Sequence, residues 1–100
     1  MTTATDPSAS GETAPITVHY WASARSAAGV SSDALEVTGP LTLGDVVRRA
    51  VALHPDSRLA GVLEVCSVLV GDRPVGSREP ESVVVTPGET VEFLPPFAGG

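Results

Sequence analysis

The sequence is poor in several residue types, and each shortage narrows the kind of protein it encodes. Cys66 is the single cysteine of the 100 residues, so no intramolecular disulfide can form, and a cytoplasmic location is expected. The two histidines, His19 and His54, are far apart and lack the spacing of metal ligands. We expect no metal site, and no cofactor bound to this chain.

Positive charge is also scarce, and lysine is missing altogether. Six arginines stand against twelve acidic residues, which gives a net charge of −6. No nucleic-acid partner is expected, because phosphate binding relies on clustered basic side chains. No apolar run approaches the ~20 residues that span a bilayer, so we expect no membrane contact. The first residues also lack the basic and apolar regions of a secretory signal.

Small and polar residues fill the first fifteen positions, and regular apolar patterns begin after them. Residues 1–15 contain too few large apolar groups to offset the entropy of ordering, so we predict a disordered leader. The following stretch ITVHYWA alternates, which predicts a strand with Ile16 and Tyr20 on the core face and Trp21 on the other. A second strand at 33–38 should pair with it antiparallel.

Between and after these strands the pattern changes. The link SARSAAGVSS is predicted to be a turn-rich loop around Gly29. Helical spacing of apolar residues then predicts one main helix over 42–54, with Thr42 as its N-cap and Pro55 as its end. The stripe that should face the sheet consists of Leu43, Val46, Val47, Ala50, Val51 and Leu53.

The second half of the chain is predicted to be mostly strand. RLAGVLEV is ambiguous and is interpreted as a loose helical turn, and a strand containing Cys66 should follow at about 65–70. A Gly-Asp-Arg-Pro turn leads to a short partner, and the last strand should lie near 90–94. The predicted order β-β-α-β-β-β is an α+β fold, forming a single domain over 16–94 with one helix across a mixed sheet.

The last six residues, PPFAGG (95–100), are predicted to leave the domain as an extended tail. Pro95 and Pro96 remove two backbone donors, so the sheet cannot continue through them. Gly99 and Gly100 lack a Cβ and fit a narrow passage that other residues would block. This shape suits a terminal carboxylate that another enzyme must reach and activate with ATP.

This ending, TPGETVEFLPPFAGG, and the start ITVHYWASARSAAG together resemble the MoaD/ThiS family of sulfur carriers. The resemblance covers residues 16–100. Within the family, it is greatest to the small subunits of molybdopterin synthase. It implies the ubiquitin-like β-grasp fold, with a mixed sheet of about five strands and one main helix packed across it.

The resemblance also implies a reaction sequence at Gly100. An E1-like adenylyltransferase would adenylate this residue with ATP, and sulfur from a rhodanese or a cysteine desulfurase would convert the adenylate to a thiocarboxylate. The tail, Phe97, Ala98, Gly99 and Gly100, would then enter the large catalytic subunit of molybdopterin synthase. There it would supply sulfur for the molybdopterin dithiolene, so the chain is expected to be a non-catalytic subunit with no catalytic residues of its own.

Residues near the tail are predicted to form the docking surface for these partners. Trp21 and Leu94 should lie side by side on the outer sheet face, next to Pro95 and Pro96, where large exposed apolar groups favour an interface. The resemblance adds Arg25, which matches a basic position of the family. Single buried cysteines mostly behave as small apolar residues, and the thiol at position 66 is not expected to carry the sulfur.

Three other functions are compatible with the sequence. The first is a related carrier that supplies sulfur to thiamine, cysteine or another thio-metabolite, although thiamine-type relatives lack the double proline. The second is a ubiquitin-like modifier joined through Gly100 to lysines of other proteins. The absence of lysine excludes chains of the modifier linked to itself. The third is a binding module whose tail has no chemical role.

Overall fold

The computed structural model describes residues 14–96, in which seven strands and three α-helices follow one another along the chain. The elements are β1 (Ile16–Tyr20), α1 (Ala22–Ala28), β2 (Ser32–Leu35), β3 (Leu41–Thr42), α2 (Leu43–Leu53), α3 (Leu59–Glu64), β4 (Ser67–Val70), β5 (Arg73–Pro74), a 3₁₀ turn (Pro80–Ser82), β6 (Val84–Val85) and β7 (Thr90–Leu94).

Five of the strands form one mixed sheet in the order β2-β1-β7-β4-β5. The central pair, β1 and β7, is parallel, and the other neighbouring pairs are antiparallel. The predicted antiparallel pairing of the first two strands is therefore confirmed. β3 and β6 pair separately in a small two-stranded sheet. This architecture confirms the predicted α+β fold, in which a mixed sheet of about five strands is covered by one main helix.

The core lies between one face of the large sheet and the helices. Every second residue of β1 is buried, as the alternating pattern predicts, and β7 shows the same alternation. The largest side chains that are less than 2 % exposed come from both sheets and from the helices above them: Tyr20, Phe93, Ile16, Leu43, Leu59, Val18, Val46, Val85 and Val91. The sheet face opposite α2 is called the outer face below.

The main helix, α2, begins and ends close to the predicted positions. Thr42 is its N-cap, because the Thr42 hydroxyl accepts a hydrogen bond of 3.0 Å from the Asp45 amide. His54 occupies the C-cap position immediately before Pro55. The predicted stripe is right for Leu43, Val46 and Ala50, which are buried. It is wrong at its end, where the Leu53 side chain is exposed.

The predicted loop after β1 is wrong, because Ala22–Ala28 form the helix α1. Ala24 and Ala28 lie one turn apart and are buried, so two small side chains anchor the helix. Gly29 ends it in the left-handed conformation (φ 80°), and its amide donates to the Arg25 carbonyl. The serine and glycine content suggested turns, whereas alanine's helix propensity and the packed Ala24–Ala28 face decide the structure.

The ambiguous segment after Pro55 also contains a regular helix, α3. Leu59 and Leu63 are four residues apart, and burial of both defines its inner face. The predicted strand was expected to contain Cys66, and this is wrong. β4 begins at Ser67, so Cys66 lies between α3 and β4. The Cys66 thiol donates to the Val62 carbonyl at 3.3 Å.

A tight turn sets the start of β7. Gly88 has φ 92°, a conformation that favours glycine, and it follows Pro87 in a Pro-Gly turn. The Glu89 carboxylate accepts from the Thr86 amide at 2.8 Å and pairs with Arg73 at 2.8 Å. These contacts hold the pKa of Glu89 below its usual range, chiefly through the hydrogen bond from the Thr86 backbone.

A polar cluster that the sequence did not indicate connects β1, β2 and the end of α2. Asp33 Oδ2 accepts a hydrogen bond of 2.8 Å from the Tyr20 hydroxyl and lies 2.6 Å from His54 Nε2. Burial and the neighbouring Asp33 carboxylate raise the pKa of Tyr20 well above its ordinary value. The Asp33 and His54 side chains retain only 20 % and 15 % of their exposure, so the cluster is largely screened from water.

We expect Asp33→Ala to lower the free energy of unfolding by about 1–3 kcal/mol, because it leaves two polar groups without their acceptor. Urea denaturation followed by circular dichroism measures the change. Asp72→Ala is the matched control, since Asp72 is an exposed turn residue whose replacement should cost less than ~0.5 kcal/mol. Equal midpoints for the two variants would show that the cluster does not stabilise the fold.

Candidate functional site

β7 carries the chain toward its C-terminal end and is held on both edges. Its residues pair with β1 on one side and with β4 on the other, and the last pair of the ladder joins Leu94 to Ser67. Val91 is fully buried and Phe93 is 1 % exposed, so the strand is also fixed by the core. The point at which the chain leaves the sheet is therefore rigidly placed.

The two prolines after β7, Pro95 and Pro96, form what we call the tail root. Neither has an amide hydrogen, so neither can extend the ladder with β1 or β4. Pro95 is half-buried and Pro96 is exposed, and neither belongs to a strand. The predicted attachment residue Gly100 and the predicted tail residues Phe97, Ala98 and Gly99 lie outside the described residues, and their roles stay predictions.

Trp21 lies on the outer face, as the alternation of β1 predicts. Its side chain is 42 % exposed, and its indole N–H donates to Glu92 Oε1 at 3.0 Å. The His19 ring is tilted against it, with 4.7 Å between the ring centres. The Trp21 amide also donates to the Phe93 carbonyl at 3.2 Å. The indole is thus held in place beside β7 while keeping much of its surface open.

An outer-face groove of about 580 Å³ lies against the tail root on the β4 side of the sheet. Leu94, Pro95 and Pro96 line one part of it, together with Leu69 of β4 and Pro74 of β5. Three of the five predicted docking residues are therefore brought together. Trp21 immediately follows the other neighbouring strand, β1, across β7 from this groove, and is not among its lining residues.

The fifth predicted docking residue, Arg25, is placed on a helix rather than in a turn. It is exposed in the last turn of α1, where its backbone carbonyl accepts from Gly29. Its guanidinium makes none of the side-chain hydrogen bonds or salt bridges found within residues 14–96. Its predicted role in docking stays a prediction.

Nucleophilic and metal chemistry have little support in the described part of the chain. Burial raises the pKa of the Cys66 thiol to about 11, so the thiolate that would act as a nucleophile is scarce at neutral pH. Between residues 14 and 96, no group of three or more His, Cys, Asp or Glu side chains could hold a metal ion. None of the helices within these residues is long and apolar enough to cross a membrane.

The geometry is that of a small β-grasp domain whose central strand is followed directly by two prolines, and sequence comparison assigns its family. The family model described as "ThiS family" matches residues 18–100. The chain belongs to the ThiS family. Members of this family are small carriers that work with catalytic subunits and E1-like enzymes. Comparison with curated proteins gives no match.

Solved structures of archaeal proteins share the fold. The Haloferax volcanii HVO 2177 protein is 28 % identical, with a TM-score of 0.66 over 89 % of each chain. SAMP1 from Haloferax volcanii is 20 % identical, with a TM-score of 0.71 over 86 % of this chain and 99 % of that one. A putative molybdopterin converting factor subunit 1 from Pyrococcus furiosus is 18 % identical, with a TM-score of 0.63 over 84 % and 99 %. These likenesses confirm the ubiquitin-like β-grasp fold.

Two residues that support the site were missed from the sequence. The alternation along the last strand turns Glu92 away from the core, but its hydrogen bond to Trp21 requires β1 and β7 to be parallel neighbours, which alternation does not reveal. His19 shares a face with Trp21 in the alternating pattern, and that spacing of two residues was an available signal for their ring contact.

Proposed function

We propose that this ThiS-family protein is a sulfur carrier that is loaded at Gly100, and that it acts as the small subunit of molybdopterin synthase. The observation that carries the proposal is the way in which β7 ends. A fully anchored β7 ends in two prolines that stop the sheet, and the family match continues from there through Gly100. The Pyrococcus furiosus neighbour, described as a putative molybdopterin converting factor subunit, supports the specific role.

Loading of Gly100 proceeds in three steps on enzymes other than this chain. The Gly100 carboxylate attacks the α-phosphorus of ATP, and pyrophosphate leaves, which gives an acyl adenylate with a good leaving group. A persulfide of the sulfur donor then attacks the carbonyl carbon and expels AMP. A thiol cleaves the resulting acyl disulfide, becomes oxidised to a disulfide with the donor's sulfur, and releases the thiocarboxylate.

Sulfur transfer requires the loaded tail to reach a second active site. The large catalytic subunit binds the carrier, and the thiocarboxylate sulfur bonds to a carbon of the molybdopterin precursor held there. An oxygen group leaves that carbon, and the product is a thioester between Gly100 and the precursor. Docking of the rigid domain makes this a positioned reaction rather than a chance encounter. Water then hydrolyses the remaining acyl link, which restores the Gly100 carboxylate for another cycle.

A second candidate function is that of a ubiquitin-like protein modifier. Structural likeness to the small archaeal modifier proteins of Haloferax volcanii and Methanosarcina acetivorans favours it. The first step is the same, but a lysine amine of a target protein replaces the persulfide as nucleophile and forms an isopeptide bond. The carrier and modifier roles thus differ in the acceptor of the activated acyl group.

Two measurements separate these functions, one on a reconstituted system and one on cells. The thiocarboxylated full-length chain is mixed with the large subunit and the molybdopterin precursor, and we expect sulfur to enter the product while the carrier returns to its carboxylate form. Tryptic digests of cells producing the chain test the modifier role. Because Arg78 is the last basic residue, conjugates would carry the segment 79–100 on target lysines. Such conjugates without sulfur transfer would contradict the carrier proposal.

A further inference from the structure

A trough between α1 and α3 ends at the tail root, on the helix side of the molecule. Its end section has a volume of about 380 Å³ and is lined by Ser23 of α1 and by both prolines of the tail root. The other lining residues lie in or beside α3: Arg58, Gly61, Val62 and Val65. An adjoining section of about 310 Å³ shares Ser23, Arg58 and Val62 with it, so the trough is continuous. It is distinct from the outer-face groove and shares only the prolines with it.

Gly61 is the unusual feature of this trough. It lies in the middle of α3, where glycine is the poorest helix former apart from proline. A Cβ built on Gly61 would meet nothing within 4 Å, and its backbone is not in the left-handed region. Gly44 shows the contrast, because a Cβ there would run into the Glu81 carboxylate.

The remaining described glycines have a local reason or a loop position. Gly29, Gly71, Gly76 and Gly88 have positive φ, and Gly39 lies outside the helices and strands. A helical glycine that nothing within residues 14–96 requires is typical of a place where another backbone approaches closely. The exposed side of α3 at Gly61 therefore indicates contact with a second molecule.

The charge and polarity of the trough indicate what that molecule presents. Arg58 is exposed and makes none of the salt bridges found within residues 14–96, in a chain whose net charge is −6. Asp56 lines the adjoining section only. Val65 is 61 % exposed and Val62 lines both sections, so an apolar surface lies beside the cation. A protein segment with apolar side chains and a carboxylate complements this combination.

Reach determines which partner covers the trough. Residues 97–100 span at most about 14 Å when fully extended, so an enzyme that grips Gly100 must lie close to the tail root. Adenylation is the step that the carrier and modifier functions share. The activating enzyme therefore meets this surface whichever acceptor follows.

We propose that the α1–α3 trough is a docking site for the adenylating enzyme, which lays an apolar, carboxylate-bearing segment across Gly61 and against Arg58. This inference rests on the proposed activation of Gly100. It adds a second contact surface on the helix side of the tail root, separate from Trp21 and the outer-face groove. The segment supplies binding and positioning, and takes no part in the chemical step.

The test is the ATP–pyrophosphate exchange rate of the adenylyltransferase from the same organism, measured against the concentration of the full-length chain. Gly61→Leu fills the trough, and Arg58→Glu reverses its charge. Each should raise KM for the carrier at least about 10-fold with little change in kcat. The lost contacts would bind the carrier equally well in the ground state and in the transition state. Thermal unfolding of Gly61→Leu should not occur at a lower temperature, since leucine is the better helix former.

Control variants place a leucine and a charge reversal on α2, away from the tail root. Ala52→Leu adds a leucine to an exposed helical position, and Arg49→Glu reverses an exposed charge. Both should keep KM within about 2-fold of the wild-type value. Unchanged KM in both trough variants would overturn the docking site while leaving Gly100 activation intact. A wild-type chain that is never adenylated would overturn the proposed function, and this inference with it.

Discussion

Deletion of Gly99 and Gly100 should abolish adenylation of the chain and leave its fold unchanged. The reacting carboxylate would then belong to Ala98. The shortened tail could not bring it to the nucleotide, and the methyl group of Ala98 would lie where the passage is narrow. Pyrophosphate release by the adenylyltransferase, with ATP and the truncated chain, should fall to the level without carrier. Gly99→Val should give nearly the same loss while keeping the length of the tail.

Stability measurements provide the control for this deletion. The buried core of the described residues extends from Ile16 to Phe93, and β7 makes its last ladder pair at Leu94. The free energy of unfolding should therefore change by less than about 0.5 kcal/mol. Removing two residues from the leader, Thr2 and Thr3, is the matched deletion and should leave pyrophosphate release unchanged. Normal release from the chain lacking both glycines would show that Gly100 is not the acceptor of AMP.

Trp21→Ala and Leu94→Arg should each weaken binding of the large subunit by roughly 30-fold or more, about 2 kcal/mol, as hot-spot residues do. The Trp21 ring is large, held by its neighbours and still 42 % exposed, so burying it at an interface removes substantial apolar area from water. Leu94→Arg places a charge in the outer-face groove beside the tail root. Isothermal titration calorimetry with the thiocarboxylate-free chain measures both effects.

Control variants separate docking from damage to the fold. Val84→Ala removes a similarly exposed apolar side chain from β6 and should bind normally. Trp21→Phe keeps an aromatic ring but lacks the N–H that donates to Glu92. If this variant loses little affinity for the large subunit, the binding energy comes from apolar contact rather than from that hydrogen bond. Unfolding midpoints of Trp21→Ala and Leu94→Arg should stay near that of the wild type. Unimpaired binding by both variants would remove the outer face from the interface.

The strands were predictable because their burial follows a local rule. In β1 and β7, alternate residues enter the core, so the pattern of apolar side chains identifies both the strand and its inner face. The last strand has the predicted bounds, and α2 differs from its predicted range by a single residue at each end. The N-cap of α2 could also be predicted, because the capping hydrogen bond joins Thr42 and Asp45, which are near neighbours in sequence.

The short helices could not be predicted with the same reliability, because tertiary packing decides them. α1 has no large apolar residue, and only alanines fix it to the core: Ala24 and Ala28, which are buried, and Ala27, which is partly buried. In α3, Leu59 and Leu63 indicate a helical face, but Gly61 between them weakens the pattern. Both segments are too short to be stable helices by propensity alone.

Some features of the candidate site could also be predicted from local sequence, whereas others depend on tertiary contacts. The exposure of Trp21 and the break at Pro95 follow from local pattern and from proline chemistry. The Trp21–Glu92 bond and the α1–α3 trough depend on which elements become neighbours: the parallel pairing of β1 with β7, and the packing of two helices that the sequence did not clearly predict. Residues far apart in sequence meet there, and no spacing rule links them.

The mass of the full-length chain, after reaction with its adenylyltransferase, ATP and a sulfur donor, tests the sulfur-carrier role most directly. An increase equal to the exchange of one oxygen for one sulfur, located at Gly100 by fragmentation and absent without ATP, is the predicted result. An unchanged mass under conditions in which pyrophosphate is released, or sulfur found on Cys66 instead, would contradict it.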